Sequence, residues 1–179
     1  MTTPLEKAKL IPATGEKATQ IEFMFNPTEL KFTRSVSIEQ SEGSRTQSGQ
    51  NKTSFKHPNP YTLTISNIIL DTYEKKEGQR SVLEPLKPFT DAVAFARDGK
   101  GKAQRPPIYV LTWGKNSYLR CFVKTCNFRL TMFLSDGTPV RAILDLTLEQ
   151  VDDSTPQPSQ GTPNVSQEQR QNQGRPILT

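Results

Sequence analysis

The residues that could carry chemistry are few: one histidine, two cysteines and a glycine-lysine turn. His57 stands before Pro58-Asn59-Pro60, with no acid or nucleophile in its own segment. General acid–base work needs a partner within hydrogen-bond reach, so a solvated turn histidine is sufficient explanation. One histidine also supplies no histidine-rich metal set. Cys121 and Cys126 lie five positions apart. In one regular strand that odd spacing sends them to opposite faces, which suits neither a disulfide nor a shared metal. They read as small buried or half-buried residues, a reading that a bulge between them weakens. Gly99-Lys100-Gly101-Lys102 suggests a phosphate loop. It fails the pattern, which needs longer glycine spacing and a Ser or Thr after the lysine, between a strand and a helix. With Arg97 and Arg105 it is a basic turn able to meet an acidic surface. No enzyme site, cofactor motif or metal set emerges.

Nucleic-acid binding is the generic rival. A β-barrel that binds single strands needs outward aromatics among basic residues. Tyr118, Arg120, Phe122 and Lys124 share a strand face. Core packing of Phe122 and solvation of the two cations explain the same pattern.

These residues must be positioned by β-structure. Residues 20–25 alternate around Ile21, Phe23 and Phe25, and Asn26-Pro27-Thr28 breaks them. Residues 30–38 resume, with Leu30, Phe32, Arg34, Val36 and Ile38 on one face. Residues 61–70 form a strand whose alternation slips near Asn67, the mark of a bulge or of burial on both faces. Val82, Leu86, Phe89, Val93 and Ala96 fall on one helical face. Pro85 and Pro88 predict a short turn and then a helix with Pro88 at its first position, running to about Arg97. Residues 108–113 make a strand. Residues 118–134 are too long for one straight strand, so a bent strand or a pair is expected. Asp136-Gly137 signals a hairpin. Val140, Ala142, Leu144, Leu146 and Leu148 then alternate strictly with a polar set. The fold class is mainly β: an antiparallel barrel or sandwich with one packed helix and a disordered C-terminal tail.

Composition agrees once it is localised. The 179 residues are 33% hydrophobic and 23% charged, with a net charge of +5. Residues 39–54 contain no hydrophobic residue, and 152–179 only Val165, Ile177 and Leu178. The remaining chain has an ordinary core composition. The tail after Val151 carries a net −1, leaving +6 on the rest. That excess fits nucleic acid, an acidic lumen or an acidic partner and decides nothing alone. No apolar run approaches the roughly 20 residues of a membrane span, and residues 1–15 show no secretory signal. The division expected is a flexible 1–18, a β domain over 19–151 and a loose 152–179. Within the domain, 39–54 reads as a solvated loop or as an arm that orders on a neighbouring subunit.

Four pieces then occur in order: Phe23-Met24-Phe25-Asn26-Pro27-Thr28-Glu29; Leu70-Asp71-Thr72-Tyr73; Arg105-Pro106-Pro107 with Leu111-Thr112-Trp113-Gly114; and Phe133-Leu134-Ser135-Asp136-Gly137-Thr138-Pro139-Val140-Arg141-Ala142. Over about 18–151 the chain resembles the contractile injection system tube family, specifically the N-terminal domain of its LysM-type tube-initiator members. The resemblance implies a non-enzymatic part of a phage tail-like particle, assembled in the cytoplasm. It implies a hexameric ring at the baseplate that joins the spike hub to the inner tube. Homo-oligomer contacts and contacts with spike, tube and baseplate proteins follow, with no nucleic acid, cofactor or membrane insertion. A main inner-tube subunit is the alternative. The motif positions are Phe25, Asn26, Pro27, Asp71, Thr72, Tyr73, Pro106, Pro107, Trp113, Gly114, Asp136, Gly137, Pro139, Arg141 and Ala142. Arg45, Lys52 and Phe55 are candidate inter-subunit contacts on the arm. The residues after Val151 are too few and too polar for a LysM module, so peptidoglycan binding is not carried over.

Overall fold

The computed structural model describes residues 4–45, 51–95 and 105–152, with backbone alone over 39–56. Nine strands and one helix follow in order: β1 (Ala8–Pro12), β2 (Ile21–Glu22), β3 (Lys31–Thr33), β4 (Val36–Arg45), β5 (Asn51–Pro58), β6 (Thr62–Asp71), α1 (Leu83–Asp91), β7 (Ile108–Trp113), β8 (Asn116–Phe133) and β9 (Pro139–Gln150). Seven strands form one antiparallel sheet in the order β2-β1-β7-β8-β9-β6-β3, curled into a half-barrel. Among the described strands, β4 and β5 pair only with each other. The expected mainly antiparallel β fold with one helix is what the chain adopts.

The period-two pattern of β9 works as read. Val140, Ala142, Leu144, Leu146 and Leu148 are all fully buried, and the other face is half-buried. Bulges keep the longer strands in step with it. In β6 the register shifts between Ile65 and Ile68, and Asn67 takes φ 55°. Its N–H donates to Asp145 Oδ1 at 2.9 Å, so the displaced backbone keeps a partner. The extra residue returns Ile65, Ile68 and Leu70 to one buried face. β8 is one bent strand of 18 residues rather than a pair, with shifts at Val123/Thr125 and again beyond Leu130. The first shift corrects the cysteine argument. Cys121 stands opposite Gln150 and Cys126 opposite Leu146, positions of the same parity on β9. Both thiols therefore belong to the core side, Cys121 fully buried and Cys126 half-buried.

Other expectations need revision. Residues 1–18 do not form a loose segment throughout: β1 is an inner strand between β2 and β7, with Ala8 and Leu10 buried. Small Ala8 and paired Lys9–Glu22 (2.9 Å) concealed a strand too short to stand out in the sequence. Of the alternating face read over 30–38, Phe32, Val36 and Ile38 are 42%, 52% and 54% exposed. The helix does not start at Pro88. It runs Leu83–Asp91 with Pro88 inside. Pro85 sits in the first turn, where an N–H has no helical acceptor anyway, and Pro88 forgoes one bond near the end of a short helix. Val82, Leu86, Phe89 and Ala92 face the sheet, and Phe89 meets Phe23 edge-on at 5.9 Å. Ala96, Arg97, the Gly99-Lys100-Gly101-Lys102 turn and the tail 153–179 lie outside the described residues.

Residues 39–54 are not a plain loop. β4 and β5 each continue a strand of the β3–β6 ladder, interrupted at Arg34-Ser35 and Asn59-Pro60-Tyr61. The ribbon is about 30 Å long at ~3.3 Å per residue. His57 and Pro58 end β5 rather than forming a turn, and His57 is exposed.

Candidate assembly site

Three of the four sequence pieces meet in one latch that closes the curled sheet. Asn26 spans two backbones: Ala8 N–H donates to its Oδ1 at 3.0 Å, and its Nδ2 donates to Glu6 O at 2.8 Å. Lys7 Nζ donates to Met24 O at 2.6 Å and lies 5.9 Å from the Phe25 ring. On the far side the Asp71 N–H points at Met24 Sδ, 3.1 Å away. Residues 23–26 thus bind β1 to the end of β6. Pro27, buried, fixes the turn that follows.

Asp71 organises the other half. Its Oδ1 accepts the Tyr73 N–H at 3.0 Å. Its Oδ2 accepts Arg141 Nε at 2.8 Å and Nη2 at 2.5 Å across the β6–β9 ladder. The Tyr73 N–H, with help from Arg141, holds the Asp71 carboxyl below the usual range against a smaller desolvation cost. Thr72, 1% exposed, places its hydroxyl against the carbonyls of Arg80 and Val140, and its N–H also donates to Val140 O at 2.8 Å. Ala142 is core beneath the pair. Phe25 and Tyr73 stand 51% and 47% exposed around a groove of about 440 Å³ floored by Asp71 and Arg141.

The DG hairpin leads into Arg141. Gly137 (φ 86°) donates to Leu134 O at 3.0 Å, and Leu134 N–H donates to Thr138 O at 2.9 Å. This is a type I turn closed by a glycine bulge; Asp136 keeps a negative φ. Asp136 Oδ1 accepts the Thr138 N–H at 2.9 Å, which lowers its pKa. Pro139 stands opposite Phe133 at the start of β9.

The remaining piece brackets β7. Trp113 is opposite Ala8 and packs half-buried on the core. Gly114 (φ 60°) supplies the positive-φ turn; a Cβ there would stand 3.7 Å from Glu6. Pro106 and buried Pro107 lie at the opposite end of β7, away from the latch. Beside them Arg105 pairs with Glu16 at 2.8 Å, with the Glu16 side chain 2% exposed.

Arg45 and Asn51 face each other near the arm's tip, Lys52 follows, and Phe55 is opposite Ile38; these are backbone positions. The arm is rooted at Asn59. Asn59 N–H donates to Ser35 O (2.8 Å), its Nδ2 to Ser35 Oγ (2.9 Å), and its Oδ1 accepts from Ser37 Oγ (2.8 Å). Arg34 donates to Asn59 O at 3.0 Å and stacks 4.6 Å from the Tyr61 ring. An asparagine between two prolines was the available signal.

Burial pushes the Cys121 thiol up to about 12 and raises that of Cys126. Tyr109 is likewise raised to about 12 by burial. Among the described residues no group of three or more His, Cys, Asp or Glu is placed to hold a metal, and no helix is long and apolar enough to cross a membrane. On the proposed nucleic-acid face, Lys124 is paired with Glu149 at 2.5 Å and Arg120 donates to Asp152 O at 3.3 Å.

A curled antiparallel sheet tied by these hydrogen bonds and ion pairs, with a separate two-stranded ribbon, defines a mainly antiparallel β protein with one helix. The profile of the contractile injection system tube protein family matches residues 4–158, and the chain belongs to that family. A comparison with curated proteins finds no significant match.

Proposed function

We propose that this chain is a ring-forming subunit at the start of the inner tube, six copies per ring, joining a spike hub to the first tube ring. Membership in the tube family supports assembly with other injection-system parts. The observation that carries the ring is the β4–β5 ribbon, which pairs with nothing else among the described strands. An isolated two-stranded ribbon is marginal in water, so it gains most by ordering on a neighbour. A contact of arm on body is heterologous, and such a contact repeated by rotation closes a ring. The role is adaptor-like: one ring face meets the hub and the other templates the tube. Particle and baseplate placement follow from that role. The family description equally suits a main tube subunit. Quantitative mass spectrometry of intact particles separates the two. A small fixed number of copies, in multiples of one ring, supports the initiator; a count rising with tube length rejects it in favour of the main tube.

A further inference from the structure

The groove beside the latch holds donors and apolar surface that the fold itself does not use. Phe25 and Tyr73 line it, half-exposed, although their neighbours are tied down. Thr72 is buried, and Asn26 is held by two backbones. Aromatic rings held in place by such neighbours offer contact area at little entropic cost.

The floor of the groove is polar and unevenly satisfied. Asp71 uses both carboxylate oxygens: Oδ1 accepts the Tyr73 N–H, and Oδ2 accepts Arg141 Nε and Nη2. A guanidinium carries five N–H donors in a planar fork, and this contact engages one edge of it. Nη1 of Arg141 has no partner among the described residues. Nη1 and the second N–H of Nη2 make a further fork of the kind that a carboxylate fits. That edge belongs to a side chain 43% exposed that lines the groove. At the rim Glu74 offsets Lys75, so the group the groove lacks is an acceptor for Arg141.

We infer that this groove docks a segment of a partner protein in which one acidic residue lies between apolar ones. The carboxylate meets the free edge of Arg141, and the apolar neighbours pack on Phe25 and Tyr73. The net +6 carried before Asp152 favours an acidic partner. A nucleic-acid strand fits less well, because Asp71 and Glu74 oppose its successive phosphates, whereas a single carboxylate reaches Arg141 alone. This contact is independent of the ring reading above.

Photo-crosslinking to the full chain tests it. The probe is a blocked pentapeptide with one glutamate among leucines and a benzophenone-bearing phenylalanine; a second peptide carries glutamine instead. Mass spectrometry should place the adducts within 23–26 and 71–75. Below saturation the glutamate peptide should give a yield about tenfold or more above that of the glutamine peptide. Adducts spread over the chain, or equal yields from the two peptides, overturn the site. Phe25→Ala/Tyr73→Ala should lose most of the labelling while keeping the β-sheet spectrum of the wild type. Asp71→Asn/Arg141→Gln replaces the ion pair by a neutral pair, and the folded variant should label equally with both peptides. A folded variant that still prefers glutamate overturns Arg141 as the docking group. Should either variant fail to fold, the two peptides on the wild-type chain decide. Oligothymidylate that displaces the peptide at equal concentration overturns a peptide occupant in favour of nucleic acid. Adducts that vanish when the chain assembles on its own give the groove to a neighbouring copy and overturn a foreign partner.

Discussion

Asp71 is the residue on which the latch turns. It receives the Tyr73 N–H and a two-point contact from Arg141, and its pKa is held down mainly by that N–H. A depressed carboxyl binds fewer protons in the folded state than in the unfolded chain. Its contribution is therefore complete above about pH 4 and is lost as pH falls through the lower folded value. Arg141 is 43% exposed along its side chain, so water screens the pair. Asp71→Asn should cost about 1 kcal/mol or less near neutral pH. Denaturant titrations at several pH values should show the gap to wild type closing as pH falls below the usual carboxylate range. A gap that stays constant with pH would mean that the charge of Asp71 is not what matters. The thiols give a second residue-scale test. Burial raises both, Cys121 to about 12. A thiol reagent at pH 8 should leave Cys121 unmodified in the native chain, label Cys126 slowly and label both on unfolding. Rapid native labelling of both would contradict the core placement.

At the scale of elements, turn chemistry and bulges decide which faces agree. Gly137 sits at φ 86° with open space where a Cβ would stand. Gly137→Ala should therefore cost only the backbone penalty, about 1–2 kcal/mol. Gly137→Asn should cost less, because asparagine tolerates this conformation. Thermal melts of the two variants check the order; equal losses would point to a steric cause instead. The same elements show what was legible. β9, the Asn67 slip, the Asp136-Gly137 hairpin and the core face Val82, Leu86, Phe89 could be read from residue types, because periodicity and turn residues are local signals. β1 could not, since a five-residue strand with alanine at its buried end carries little pattern. Two cysteines on one side of β8 could not either, because a bulge is set by its partner strand. Apolar alternation at Phe32, Val36 and Ile38 marks a shared face without fixing its burial, and in the fold all three are exposed.

For the whole molecule, the seven-stranded sheet forms without the arm, and β4 and β5 pair with no other described strand. Deleting residues 39–54 should leave a folded monomer with a melting temperature within a few degrees of wild type. The same deletion should abolish ring assembly; unchanged rings would remove the arm from the contact. The convergence of the Asn26, Asp71-Thr72-Tyr73 and Arg141 segments was not visible in the sequence, where 115 positions separate its ends. What could be read was their order, and that order pointed to the family to which the chain belongs. The proposed ring closure is checked by electron microscopy of the assembled full chain. Class averages should show a closed annulus with sixfold symmetry and a central opening; monomers at every concentration, or open filaments without a sixfold axis, would contradict it.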